Sequence, residues 1–215
     1  MRWKRNCSTQ TRATNMIDDL DRTLEDLLKR ELAAGLAEQV AISFAPPDNE
    51  FPPSTVSLPA INLFLYDIRE NAELRSEPWR TERTSEGVVR RRTPVRIDCS
   101  YLVTAWPNQG STTPAFDEHR LLSEVMLVLL RYPVLPLALL RGELRAQEPT
   151  PLPSTTLQPG RLQSPAEFWQ AIGGKPKASL NYSVTIAAPT GQVMEGDGLV
   201  LEKRLLLHTI PGARP

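Results

Sequence analysis

The side chains best suited to nucleophilic or metal chemistry near neutral pH are two histidines, His119 and His208, and two cysteines, Cys7 and Cys99. Neither histidine has a Cys or a second His at metal-ligand spacing, so a zinc site would have to be assembled from distant residues. Asp117, Glu118 and His119 are consecutive and could be read as an acid/base cluster. Acids at a helix start also complement its positive end, and that reading needs no chemistry. Gly173-Gly174-Lys175 has the look of a phosphate loop, but Pro176 follows at once and argues for a turn. Ser43 and Ser183 lie outside any nucleophile elbow. A small hydrolase would need Asp67, Asp117 or His119 to converge in a cleft. No cofactor or metal motif is present, and the residues favour a non-enzymatic module.

Charge leads the same way. The 25 Lys and Arg balance the 25 Asp and Glu, whereas a protein built to hold phosphates is usually basic. The triplet Arg90, Arg91, Arg92 could meet a polyanion, yet Glu70, Glu73, Glu77, Glu82 and Glu86 share its segment. A mixed-sign surface suits protein contact, and no specific nucleic acid is expected. Trp79, Trp106 and Trp169 lie near loops or element ends, where an indole is either a core anchor or an interface hot spot. Local packing is the expectation for Trp106; Trp79 and Trp169 stay candidates for interface residues.

These residues need a scaffold. The 215-residue chain is 40% apolar and carries 20 prolines, so it can bury a core and should have long ordered loops between short elements. Arg2, Lys4, Arg5 and Arg12 precede Met16 with no apolar run, unlike a secretory signal. The longest apolar stretches fall far short of a membrane span, so no membrane partner and synthesis as a soluble cytoplasmic protein are expected. Residues 1–15 read as a disordered extension. Ile17, Leu20, Leu24, Leu27 and Leu28 form a helical stripe from Asp18 to about Ala34, ended by Gly35. Val40, Ile42 and Phe44 suggest a short strand, and five prolines follow in the loop to Pro59.

Ile61–Ile68 is apolar on both faces, as in a central strand, and from Val95 to Ala105 apolar residues alternate against Arg96, Asp98, Ser100 and Thr104. The two should pair as neighbours, with Arg69–Pro94 a long solvated connection. Thr113-Pro114 opens a helix to Arg131 or Tyr132 with Leu121, Leu122, Val125, Met126, Leu129 and Leu130 on its buried face. Gly142–Arg145 is expected as a short edge strand and Pro149–Gly160 as a linker. Ser164, Pro165 and Glu167 form a capping box for a short helix presenting Phe168, Trp169 and Ile172. Leu180–Ile186 is a further strand, Thr190–Gly198 a Gly-rich turn, and Leu199–Ile210 a last strand. The predicted fold is α/β: a single domain, a central mixed sheet packed by one long helix and two shorter ones, with long Pro-rich loops. Residues 16–189 form its core, and residues 190–215 an edge strand or arm.

Several stretches resemble a known family. They are Asn62-Leu63-Phe64-Leu65-Tyr66-Asp67-Ile68 with Asn71 nearby, Tyr101-Leu102-Val103-Thr104-Ala105-Trp106, and Glu118-His119 leading into Leu121-Leu122 and Val125-Met126. Ala45-Pro46-Pro47, Tyr132-Pro133 with Leu135-Pro136, Gly142-Glu143-Leu144, Phe168-Trp169, Gly173 and Leu180–Ile186 continue the likeness in order. Together, from Ile17 to Pro189, the chain resembles the cap, or tube-terminator, family of extracellular contractile injection systems, which are phage-tail-like particles.

The resemblance implies a homo-hexameric ring that stops growth of the inner tube and receives the last sheath layer, with tube and sheath proteins as partners. It also implies incorporation into a particle that can be released from the cell. A tail terminator or neck completion protein of a contractile phage is the neighbouring role. Interfaces would then carry the function, and the expected interface residues are Trp79, Arg90, Arg91, Arg92, Trp169 and, in the last strand, Leu201, Lys203 and Leu205. Leu199–Ile210 is expected to exchange main-chain pairing with the sheath.

Overall fold

The computed structural model describes residues 15–75, 79–84, 87–147, 152–159, 162, 164–190 and 193–195. The contacts of the chain divide it into two compact units, one drawn from Met1–Arg75 and Pro94–Ala188, the other from Ser76–Thr93 and Pro189–Pro215. The larger unit carries the expected α/β architecture, a mixed sheet beneath helices. The smaller unit comes from what the sequence suggests is a loop and a turn.

In the larger unit, helix α1 (Met16–Glu31) and the single turn α2 (Ala34–Ala37) precede strand β1 (Ala41–Ser43) and strand β2 (Ala60–Glu70). Strand β5 (Val95–Trp106), helix α3 (Pro114–Arg131), a 3-10 turn (Gly142–Ala146), β6 (Ser154–Thr156), α4 (Pro165–Ala171) and β7 (Ser179–Ala188) follow. The strand order is β1-β2-β5-β7-β6, parallel between β1 and β2 and antiparallel elsewhere. β2 and β5 are therefore neighbours, as the sequence suggests, and run antiparallel. In the smaller unit β3 (Trp79–Thr84), β4 (Gly87–Arg92) and β8 (Val193–Glu195) form an antiparallel sheet with β4 in the middle.

Period-two alternation sorts the main sheet into two faces. Ile61, Leu63, Tyr101, Val103, Ala105, Tyr182, Val184 and Ile186 join one hydrophobic cluster with Leu20, Leu24, Leu27 and Leu28 of α1 and Leu121, Leu122, Val125, Val128 and Leu129 of α3. The opposite face is mixed and much of it is covered: Asn62, Ser100, Thr104 and Thr185 are buried there beside Leu102 and Ala187. These polar groups need partners. Ser100 Oγ and Ser183 Oγ are 2.9 Å apart, Thr185 Oγ1 donates to Asp98 Oδ1 at 2.6 Å, and Asn62 Nδ2 donates to the Ala45 carbonyl at 3.0 Å. α4 lies on this face, with Phe168 6.1 Å from Phe64 between ring centres.

Several expectations change. α1 ends at Glu31, not near Ala34, because Leu32 turns extended (φ −65°, ψ 151°) and is buried in the core while its N–H still reaches Leu28 O at 3.0 Å. Gly35 falls inside α2 and Ile17 is 39% exposed, so neither plays the part its pattern suggests. On α3 it is Val128, not Leu130, that completes the buried face. Thr113 makes no side-chain capping bond, whereas Ser164 Oγ accepts from Glu167 N–H at 3.3 Å as the capping box requires.

Gly142–Ala146 is a 3-10 turn and not an edge strand, since α1 captures its backbone donors. Asp19 Oδ2 accepts from Glu143 N–H at 2.9 Å, and Thr23 Oγ1 accepts from Arg141 N–H at 3.1 Å. The Pro-rich segment before Gly160 contains β6, anchored by Ser154 N–H to Pro133 O at 2.8 Å and by the fully buried Leu152. The expected solvated connection holds β3 and β4, and the Gly-rich turn holds β8. Residues 1–14 and the strand expected at Leu199–Ile210 lie outside the described residues.

Candidate interaction surfaces

Among the described residues the candidate chemical groups have separate partners, and Cys7 and His208 lie outside those residues. Asp117 accepts from Ser111 Oγ at 2.5 Å, Glu118 pairs with Lys177, and His119 is exposed on α3 beside Leu122 and Met126. Asp67 is at the bulged part of β2 and pairs with Arg69 at 2.8 Å. Gly173, at φ +69°, closes α4 as a turn residue. Cys99 is fully buried, and that burial pushes its thiol pKa up to about 12, with Asp21 and Asp98 adding to the shift. It therefore stays protonated and packs as a small apolar group. Tyr101 donates to Asp21 Oδ1 at 2.8 Å; burial, reinforced by that carboxylate, holds the phenol far above its ordinary range. Burial also raises Asp21, against the opposing effect of the Tyr101 bond. Among the described residues no three His, Cys, Asp or Glu side chains are placed to hold a metal ion.

Trp106 packs locally, as expected. Its ring lies 4.3 Å from Phe51 between centroids, its Nε1 donates to Thr104 Oγ1 at 3.0 Å, and the Lys177 ammonium sits 4.6 Å above it. Trp169 is only 3% exposed, edge-on to Phe168 at 5.5 Å. It works as a packing residue of the larger unit, with Gly174 close against the indole because a Cβ there would touch it.

The remaining candidates sit in the smaller sheet. Trp79 stands opposite Arg92, Arg80 opposite Arg91, and Thr81 opposite Arg90. Alternation then divides the triplet: Arg90 and Arg92 share a face with Trp79 and Thr81, while Arg91 shares the other with Arg80. All three arginines are exposed and Trp79 is half-buried. Sequence reading missed this hairpin because charges fill half of its strand positions and break the apolar alternation; Val88-Val89 after Gly87 was its only run of β-branched residues. Leu201, Lys203 and Leu205 lie outside the described residues.

Sequence reading also missed a groove on the larger unit. It has a volume of about 590 Å³ and lies between the C-terminal half of α1 and the segment from Ala138 to Arg145. Lys29, Arg30, Arg141 and Arg145 line it against one carboxylate, Asp26, which accepts from Arg141 Nε at 2.5 Å.

No curated protein matches the chain. The solved structures that resemble it include two determined by cryo-electron microscopy. One is the sheath/tube terminator of the PVC extracellular contractile injection system in its extended state, at 25% identity and a TM-score of 0.64, covering 94% of this chain and 65% of that one. The other is the tube-terminating cap of the anti-feeding prophage, at 24% identity and a TM-score of 0.57, covering 89% of this chain and 61% of that one. This chain thus spans somewhat under two thirds of each relative's length. The family model of the Pvc16 N-terminal domain matches residues 19–202, which takes in both described sheets, and the chain belongs to that family.

Proposed function

We propose that this chain caps the inner tube of a contractile injection particle, ending tube and sheath growth as a closed ring of six copies. The observation that carries the reading is the family match over residues 19–202, joined to a terminator structure that covers 94% of the chain. The physics fits the task. A tube grows because each ring exposes a face that fits the next; a terminator matches that face on one side and offers a different one on the other. Head-to-tail contacts close a ring and leave no free lateral edge. Such work makes and breaks no covalent bond.

In this reading residues 16–189 form the ring body, and residues 190–215 act as an arm whose Leu199–Ile210 segment, with Leu201, Lys203 and Leu205, pairs with the sheath. The hairpin bearing Trp79, Arg90, Arg91 and Arg92 contacts the tube or a neighbouring copy. The protein is made in the cytoplasm and leaves with the particle. Electron microscopy of tube ends tests the central claim. Tubes assembled with the protein should carry a six-fold density at one end and stop at a regulated length. Tubes that keep the same length and bare ends with or without it would refute the reading. Truncation after Gly198 should leave rings intact and shed sheath; full sheath retention would remove the arm assignment alone.

A further inference from the structure

We infer that the basic groove between α1 and the Ala138–Arg145 segment receives the exposed turn Glu70–Leu74 of the neighbouring copy as a socket receives a plug, with Glu73 the charge that meets Arg145 at the lateral joint of the ring. The inference rests on the ring reading and names the contact that would build the ring.

The socket has four cations against one carboxylate, and Asp26 is already committed to Arg141. Lys29 and Arg30 also pair with Glu25 at 2.5 Å and Glu31 at 3.4 Å, and both suit the negative end of α1. That account does not reach Arg141 and Arg145, which arrive from a separate segment. Arg145 is exposed and makes no ion pair with any described residue. Leu137, 61% exposed, adjoins the Ala138 wall and adds an apolar rim.

Among the described residues the plug offers one uncommitted charge, Glu73, on a fixed frame, since the flanking Arg69 and Arg75 are paired with Asp67 and Glu70. Glu73 is exposed, Leu74 is 44% exposed, and the Glu70 side chain is 44% exposed while paired with Arg75. Asn71 pins the turn. Its N–H donates to Arg96 O at 2.8 Å, its Nδ2 to Asp98 Oδ1 at 3.0 Å, and its Oδ1 accepts from Leu74 N–H at 2.9 Å. An exposed leucine and an exposed glutamate are thus held in place before any partner arrives, which reduces the ordering cost of docking. Plug and socket are different patches of one chain, so the joint is heterologous and can repeat around a ring.

The test uses the full chain, with ring assembly followed by sedimentation alone and on tube rings. Arg145→Glu and Glu73→Lys each reverse one exposed charge with no ion pair among the described residues, and unchanged melting curves verify folding. Each should weaken self-association about tenfold or more, and the double variant should recover most of that loss. Wild-type association should weaken as salt rises through physiological strength, as screening requires. Asn71→Ala, which keeps the charges and frees the turn, should weaken association without changing its salt dependence. Rings that form equally well with either reversal overturn the inference and leave the ring reading standing, as does additive loss in the double variant. So does loss of tube or sheath binding with self-association intact, which would put another acidic partner in the socket. A wild-type chain that forms no ring alone or on tubes overturns the ring reading itself.

Discussion

Gly142 is where the fold can be tested hardest at one atom. Its φ of +45° lies in the left-handed region, and a Cβ built there would fall inside 3.0 Å of the Asp19 carboxylate. Gly142→Ala therefore has two separable effects. The backbone strain of an alanine in this region is about 1–2 kcal/mol. Displacing Asp19 also breaks its bond to Glu143 N–H, which at a half-buried carboxylate costs about 1–2 kcal/mol. The sum, about 2–4 kcal/mol, corresponds to a fall in Tm of roughly 5–15 °C for a chain of this size.

Urea or thermal unfolding followed by circular dichroism measures the change, and an Asp19→Ala background divides it. With the carboxylate gone only the strain remains, so Gly142→Ala should cost about half as much there. Gly142→Asn adds a further division: asparagine tolerates the left-handed backbone but still brings a Cβ, so it should keep the collision and lose most of the strain. A Gly142→Ala variant within about 0.5 kcal/mol of wild type would refute the argument. An equal cost in both backgrounds would refute the part that depends on Asp19.

Three other changes have defined outcomes. Asp21 has its pKa raised above the ordinary 3.8 by burial, so the fold disfavours its ionised form. Its contribution to stability is complete below about pH 4 and is lost as pH rises through the raised value, and Asp21→Asn should flatten that segment of a urea-midpoint profile while keeping an acceptor for Tyr101. Lys177→Met should cost about 2–3 kcal/mol in Tm-based stability, because the Glu118 and Lys177 side chains are only 16% and 14% exposed and the acid loses its counter-charge. Replacing both Lys177 and Glu118 by apolar residues should recover part of that loss, and no recovery would mean that packing over Trp106 was the main contribution. Ser164→Ala removes the α4 cap and should cost about 1 kcal/mol by the same measurement.

What could be read from the sequence was whatever local spacing decides. β5 is legible because apolar and polar residues alternate from Val95 to Ala105, and α4 because Ser164, Pro165 and Glu167 specify their own helix start. The 3-10 turn is not legible, since Asp19 and Thr23 impose it from far along the chain. The end of α1 is set by the core pulling in Leu32, a tertiary effect that outweighs the nearby Gly35. β6 is hidden by its prolines and exists because Tyr182–Val184 offers an edge to pair with. The candidate surfaces divide similarly. Arg90, Arg91 and Arg92 are conspicuous as a run, but only pairing with β3 shows that they point two ways. The basic groove draws its charges from two segments more than a hundred positions apart, so no window of sequence contains it.

β2 passes from the core to the surface within one strand. From Ala60 to Leu63 every residue is buried, including Asn62; from Phe64 to Asp67 burial is partial, and Ile68, Arg69 and Glu70 are exposed. β1 pairs with its first three residues only, and the bulge between Leu65 and Asp67 shifts the alternation before the strand leaves the core. A bulge and charged side chains on an open edge oppose indiscriminate strand pairing. The exposed end of β2 is therefore guarded against adding strands at random, yet it leads into a turn that Asn71 braces by hydrogen bonds. A surface protected from unspecific assembly and ordered without a partner is what the proposed ring requires, because in that reading each copy accepts one neighbour in one orientation and then stops.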